Sequence, residues 1–179
     1  TINIKDSDGA LKRTFIGTGT TISQLWNGKD SLGAVVPDGS YTYTIDATDP
    51  ATGAKAIQVS GQITVDNTPP TGSLTEPTLG ATLSGQAPIK GTADDLNYWV
   101  ANLYYGQGAS PTSWDWITET SSRLGPDPVL LVNWETTNLP SGDYVLRLQV
   151  LDYAYNKKTI DFPVKVYNVS ISNLSASPD

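Results

Sequence analysis

Glycine and proline recur along this chain too closely for helices of more than a turn or two. The 179 residues include 16 glycines and 12 prolines, and no window carries apolar residues at helical spacing. Apolar and polar residues alternate instead, as where Tyr41, Tyr43 and Ile45 alternate with threonines. Strand-like segments at intervals of about 8–12 residues, separated by turn residues, predict an all-β protein made of β-sandwich domains. The predicted strands lie at residues 1–5, 11–16, 41–45, 57–65, 87–91, 98–105, 115–119, 129–134, 144–151 and 159–166.

A turn-and-strand motif occurs twice. The segment Pro37-Asp38-Gly39-Ser40-Tyr41 matches Pro140-Ser141-Gly142-Asp143-Tyr144, and a tryptophan stands upstream of each, at Trp26 and Trp134. The interval of about 100 residues is the size of one immunoglobulin-like sandwich. The repeat therefore predicts two related domains. Proline and glycine would shape each turn, the tyrosine would be a corner tyrosine bonded to nearby backbone, and the tryptophan would anchor the core.

The domain boundary is predicted at the segment Val65-Asp66-Asn67-Thr68-Pro69-Pro70-Thr71. Two prolines withhold two N–H donors, so this stretch cannot continue a sheet and acts as a short, stiff joint. We expect domains at residues 1–66 and 67–167. Residues 168–179 alternate again and look like the opening strand of a further unit. They could also be a donor strand that completes the first domain of another copy, which would build filaments.

Composition excludes several kinds of chemistry. The chain has no histidine and no cysteine, which excludes Ser-His-Asp catalysis, thiolate catalysis, disulfides and Cys or His metal sites. A net charge of −7 without a basic cluster argues against nucleic acid, and no stretch reaches the roughly 20 apolar residues of a membrane helix. Asp115 and Glu119 would lie about 13 Å apart along a strand, too far for a glycosidase pair. The sequence predicts that the protein is not an enzyme.

The first domain resembles a known family. Trp26-Asn27-Gly28-Lys29-Asp30, then Gly33, then the segment 36–41, is similar to the signature of FlgD-like immunoglobulin-like domains, which are widespread in bacterial secreted proteins. The resemblance covers residues 1 to about 65, and Asn27 replaces the usual aspartate. Members of that family normally have one or two strands before the segment matching Ile2–Ile4. The resemblance therefore implies a first domain that lacks an edge strand or part of its core cover at the N-terminus.

The second domain resembles bacterial Ig-like (Big-type) modules, which follow linkers of the Asp-x-Thr-Pro-Pro kind. Gly91-Thr92-Ala93-Asp94 and Asp152-Tyr153-Ala154-Tyr155-Asn156 carry part of the match, with Tyr155 where the family usually has glycine. Such modules occur in tandem on large surface and secreted proteins. The resemblance implies a structural or adhesive segment, such as a spacer, stalk or filament component, of a long extracellular bacterial protein. Its partners would be neighbouring Ig-like domains or other copies of itself. The alternative is a carbohydrate- or protein-binding module appended to a secreted enzyme.

Calcium is the one cofactor that the residues suggest. Calcium prefers several oxygen ligands, usually carboxylates and backbone carbonyls. Asp66 lies at the joint, and Asp94 and Asp152 lie where predicted strands end, so these three are the candidate ligands. The alternative is that these aspartates cap turns.

Aromatic residues are numerous in the second domain, and they cannot all be part of the core of a sandwich of about 100 residues. Trp99, Trp114 and Trp116 are candidates for stacking on a glycan or a protein ligand. Strict alternation predicts that Trp99 shares a face with Ala101 and Leu103.

Overall fold

A computed structural model describes residues 1–169 of the chain, so the expected strand at residues 168–179 lies almost entirely outside the described residues. The chain divides into two compact units, the first from Thr1 to Thr68 and the second beginning at Pro69. Twelve strands account for the regular structure of residues 1–169, which confirms the all-β prediction. Within those residues there is no helix of the length and apolarity needed to cross a membrane.

The first unit is built on one antiparallel sheet of four strands. They are β1 (Ile2–Lys5), β2 (Leu11–Phe15), β3 (Gly39–Ile45) and β4 (Val59–Val65), in the order β2-β1-β3-β4. The register pairs Ile4 with Tyr43 and Tyr41 with Ile63, so apolar side chains share one face. The other face carries polar side chains such as Asn3, opposite Thr44.

The apolar face of this sheet is only partly covered. Residues 16–38, between β2 and β3, place Trp26 and Val36 on it, and the buried core comprises Ile4, Val36 and Tyr41. Val59 on β4 remains 55% exposed. Among the described residues no second sheet packs on this face, and the N-terminal strands expected to be missing stay a prediction from the sequence.

The second unit is a two-sheet sandwich. Its strands are β5 (Thr71–Glu76), β6 (Thr82–Leu83), β7 (Gln86–Asp94), β8 (Tyr98–Gln107), β9 (Asp115–Thr120), β10 (Gly125–Glu135), β11 (Gly142–Asp152) and β12 (Lys157–Val166). One sheet has the order β10-β7-β5 and the other β6-β12-β11-β8-β9. This is the immunoglobulin arrangement, with β5, β7 and β10 as strands A, B and E, and β8, β11 and β12 as strands C, F and G. The sequence prediction missed β5 and β6.

Both units contain the same tyrosine corner. The hydroxyl of Tyr144 donates to the Pro140 carbonyl oxygen at 2.9 Å, and that of Tyr41 donates to the Pro37 carbonyl oxygen at 2.7 Å. In each unit a tryptophan meets the tyrosine edge-on, with ring centroids 6.3 Å apart for Trp134–Tyr144 and 5.3 Å apart for Trp26–Tyr41. Each tyrosine strand also lies between corresponding neighbours, because the order β2-β1-β3-β4 parallels β9-β8-β11-β12. The sequence repeat is therefore a structural repeat.

Trp134 anchors the core of the second unit. Its side chain is 4% exposed and belongs to a core cluster with fourteen other buried apolar side chains. Replacing Trp134 by alanine should lower the free energy of unfolding by about 3–5 kcal/mol, because the lost burial is compounded by a cavity. Urea denaturation measures the change. Trp116→Ala is the matched control: that side chain is 59% exposed, and the expected loss is on the order of 0.5 kcal/mol. Equal losses in the two variants would contradict the assignment of Trp134 to the core.

The corner hydrogen bonds give a second prediction. Tyr41→Phe and Tyr144→Phe keep the ring and remove only the hydroxyl, so each should cost its own unit about 0.5–1.5 kcal/mol. Hydrogen exchange of the amides in β3 and β11 reports the two units separately. Tyr167→Phe serves as the control, because that side chain is 61% exposed and should change stability little. If Tyr167→Phe is as damaging as Tyr144→Phe, the corner bond has no special role.

Candidate functional site

Two aspartates of the second unit lie together at one end of the sandwich. Asp95 is in the turn between β7 and β8, and Asp152 ends β11. Their carboxylate oxygens lie within 4.8 Å of one another. Asp152 is fully buried, which is unusual for a carboxylate and requires hydrogen-bond partners.

Those partners are found within the turns that the aspartates begin. The Asp152 carboxylate accepts the backbone N–H of Asn156 at 2.8 Å and its side-chain amide at 2.9 Å. Asp95 accepts the backbone N–H of Asn97 at 2.6 Å. Both carboxylates therefore perform turn capping. A carboxylate offers about four lone-pair sites, so each retains capacity for a cation, but calcium would need several further oxygen ligands.

The other predicted calcium ligands have different surroundings. The Asp94 carboxylate forms an ion pair with Arg123, whose hydrogen bond lowers the pKa of Asp94. It is Asp95, the next residue, whose carboxylate lies near that of Asp152. Asp66 follows β4 in the first unit, and its carboxylate accepts the backbone N–H of Thr68 at 3.0 Å. A calcium ion bound by Asp66 together with the aspartates of the second unit stays a prediction from the sequence.

The three candidate tryptophans do not form one platform. Trp99 lies at the beginning of β8, whereas Trp116 on β9 is paired with Tyr104 in the other half of β8. Trp114 is covered by the Arg147 guanidinium, whose carbon lies 3.7 Å from the ring centroid. Trp116 is exposed. Its strand partner Tyr104 also pairs with Arg147, so Trp116 lies near the contact between Arg147 and Trp114.

The Arg147 side chain is held in place by more than Trp114. Its Nε and Nη2 donate to the two carboxylate oxygens of Asp161, each at 2.6 Å. This hydrogen bonding lowers the pKa of Asp161. One face of the Trp114 ring is consequently occupied within the protein, which leaves it less suited to stacking on a ligand.

The orientation predicted for Trp99 is wrong. Leu151 pairs with Val100 and Asp152 pairs with Tyr98, so the register passes over Trp99. This bulge interrupts the alternation: Tyr98 points inward and is 8% exposed, while Trp99 points outward and is 37% exposed. Ala101 and Leu103, which were expected to share a face with Trp99, are buried.

Outward-facing Trp99 contacts two tyrosines of the turn between β11 and β12, which were not singled out as a site from the sequence. Tyr153 stacks on Trp99 with ring centroids 6.3 Å apart, and Tyr155 meets it edge-on at 5.4 Å. Tyr155 has φ of +65°, in the left-handed region that costs a non-glycine residue roughly 1–2 kcal/mol. A glycine at this position would adopt the conformation without that cost.

Solved structures similar to this chain include the two described below. No family model matches the chain, and no curated protein matches it. An endo-β-1,4-mannanase from Thermotoga petrophila is 15% identical with a TM-score of 0.43, over 58% of this chain and 21% of that one. A tetra-tandem repeat from the extending region of a large adhesion protein is 18% identical with a TM-score of 0.40, over 92% of this chain and 40% of that one. The chain thus spans less than half the length of either structure.

Calcium binding has a direct thermal test. A ligand that binds only the folded state at 100 times its dissociation constant stabilises by about 2.7 kcal/mol, so millimolar calcium should raise the melting temperature. Asp95→Asn and Asp152→Asn should reduce this shift, and Asp66→Asn tests the ligand predicted at the joint. Asp94→Asn, which removes a carboxylate paired with Arg123, should retain it. Identical calorimetric scans in calcium and in chelator would refute the calcium prediction.

Proposed function

We propose that this chain is a non-catalytic structural segment of a long extracellular bacterial protein, and that it bears load between other domains as a spacer or stalk. The observation that carries the proposal is the parallel pairing of β6, near the start of the second unit, with β12, the last strand of its described residues. The repeated corner in the two units supports a tandem arrangement of related modules. The resemblance to Ig-like modules of secreted proteins supports the extracellular location.

The β6–β12 contact is a compact set of backbone hydrogen bonds. Thr82 pairs with Lys165 and Leu83 pairs with Val166. The Lys165 N–H donates to the Ala81 carbonyl at 2.8 Å, and the Tyr167 N–H donates to the Leu83 carbonyl at 2.9 Å. One further bond, from the Gly80 N–H to the Pro163 carbonyl at 3.0 Å, continues the contact.

The direction of these strands determines how they respond to tension. The chain enters the unit through β5 and β6 and leaves it through β12. Tension along the chain loads β5 first, and once β5 has separated from β7 it pulls β6 from its N-terminal end and β12 from its C-terminal end. Because the two strands are parallel, the pulls act in opposite directions along the shared axis. The hydrogen bonds are then sheared together instead of being opened one at a time, which raises the force needed to separate the strands.

Single-molecule force spectroscopy on the whole chain tests this role. Tyr167→Pro removes the N–H that donates to Leu83, and it should lower the unfolding force of the second unit. The extension on unfolding should stay the same in the variant, at about 3.6 Å for each residue released. Tyr167→Ala is the matched control, because it removes the exposed ring and keeps the N–H.

The outcomes are distinct. A lower force for Tyr167→Pro with an unchanged force for Tyr167→Ala supports a load-bearing contact between β6 and β12. Equal forces in the original chain and in both variants would show that this contact bears no load, and the proposed spacer role would lose its main support.

A further inference from the structure

We propose that Trp99, Tyr153 and Tyr155 form a saccharide-binding site at one end of the second unit. This activity is additional to the structural role and does not depend on it. Tyr153 is 70% exposed and Tyr155 is 74% exposed, so two large aromatic side chains of this cluster lie mostly in solvent. Exposed and contiguous aromatic surface on a folded domain indicates an interaction site.

The two tyrosine rings pack against Trp99. Tyr153 stacks on Trp99 at an inclination of 26°, and Tyr155 stands at 75° to Trp99. Trp99 is therefore partly covered, and the two exposed tyrosine rings provide most of the aromatic surface that faces solvent. Each tyrosine also carries a hydroxyl that can donate and accept hydrogen bonds beside its apolar face.

Two irregularities of the backbone build this arrangement. The bulge in β8 turns Trp99 out of the core, and bulges commonly re-aim a side chain in this way. Tyr155 occupies the left-handed region, where most residues with a side chain are disfavoured. Strain of this kind tends to persist where a side chain has a role beyond folding.

Hydrogen bonds fix the turn that carries Tyr153 and Tyr155. The Asp152 carboxylate holds Asn156 through two hydrogen bonds, which closes the turn that carries both tyrosines. The Tyr153 N–H donates to the Asn97 carbonyl at 2.9 Å, which ties this turn to the neighbouring turn between β7 and β8. A ligand would therefore meet rings that are largely positioned before binding, which lowers the entropic cost of association.

The size of the cluster favours a saccharide over a protein. A stable protein interface uses about 20–30 residues on each side. The exposed apolar surface here comes from the three rings and from Leu96 in the adjacent turn, which is 88% exposed. A cluster of so few side chains suits one or two sugar rings. A β-linked hexopyranose with equatorial hydroxyls presents a flat C–H face to an aromatic ring, while its hydroxyls reach the tyrosine hydroxyls and water.

Affinity electrophoresis of the whole chain tests the site. The gels contain hydroxyethyl cellulose or mixed-linkage β-glucan as β-linked polysaccharides of glucose, and dextran as an α-linked one. We expect at least one β-linked polysaccharide to retard the protein and to change its tryptophan fluorescence, and we expect Trp99→Ala to remove that change. Tyr155→Gly should weaken binding by about tenfold or more, the effect of about 1.4 kcal/mol. The same substitution should keep or raise the melting temperature, because glycine relieves the strained backbone.

Further variants separate the alternatives. Trp99→Ala should also abolish retardation, whereas Trp116→Ala, which removes an exposed tryptophan elsewhere on the unit, should leave it unchanged. Absence of retardation by both β-linked polysaccharides would overturn the proposal, as would retardation that survives Tyr155→Gly. Sedimentation gives one more outcome. A dimer of the original chain that Tyr155→Gly dissociates would show that a second copy covers the rings, and the saccharide proposal would be wrong.

Discussion

The hydrogen bond from the tyrosine hydroxyl to the proline carbonyl four residues earlier organises both units. It fixes the turn before the tyrosine strand. The tyrosine ring also packs edge-on against a tryptophan, as Tyr144 does against Trp134. The tyrosine strand has neighbours on both sides of its sheet, so its position sets theirs. In the first unit the same corner lies in a sheet whose apolar face is covered only by a short segment, from which Val36 and Trp26 pack against Tyr41. The corner therefore specifies the local geometry even where the core is small.

Sequence patterns predicted most strands because a half-buried strand shows period-2 alternation. They failed where that signal is weak. The strand β5, Thr71–Glu76, has one buried apolar side chain, Leu74, and β6 is only two residues long. The reversed orientation of Trp99 has another cause. A bulge leaves no mark in the residue types of a strand. Only the pairing of β8 with β11 reveals the one at Trp99.

The candidate sites show the same limit. Asp152 could be singled out from the sequence because the repeat places it at the end of a strand after the corner. The sequence prediction chose Asp94, whereas Asp95 lies beside Asp152, because Arg123, which binds Asp94, is distant in sequence and reaches it only through the fold. The sequence did hold a signal for Tyr155, because this residue replaces the glycine usual in the modules that the second domain resembles, and glycine readily adopts positive φ. The contact of Tyr155 with Trp99 is visible only in the fold.

The two proposed roles of the second unit lie at opposite ends of one strand. The contact with β6 involves residues 163–167, at the C-terminal end of β12, whereas the turn of residues 153–156 precedes its N-terminal end at Lys157. At about 3.3 Å per residue these sites are separated by roughly 20–30 Å along the strand. Tension carried between β6 and β12 therefore passes through the end of the strand that is remote from the aromatic rings. The strained turn with Tyr155 can accordingly be specialised for binding without weakening the hydrogen bonds that resist force, because residues so far apart with no shared partners contribute nearly independently.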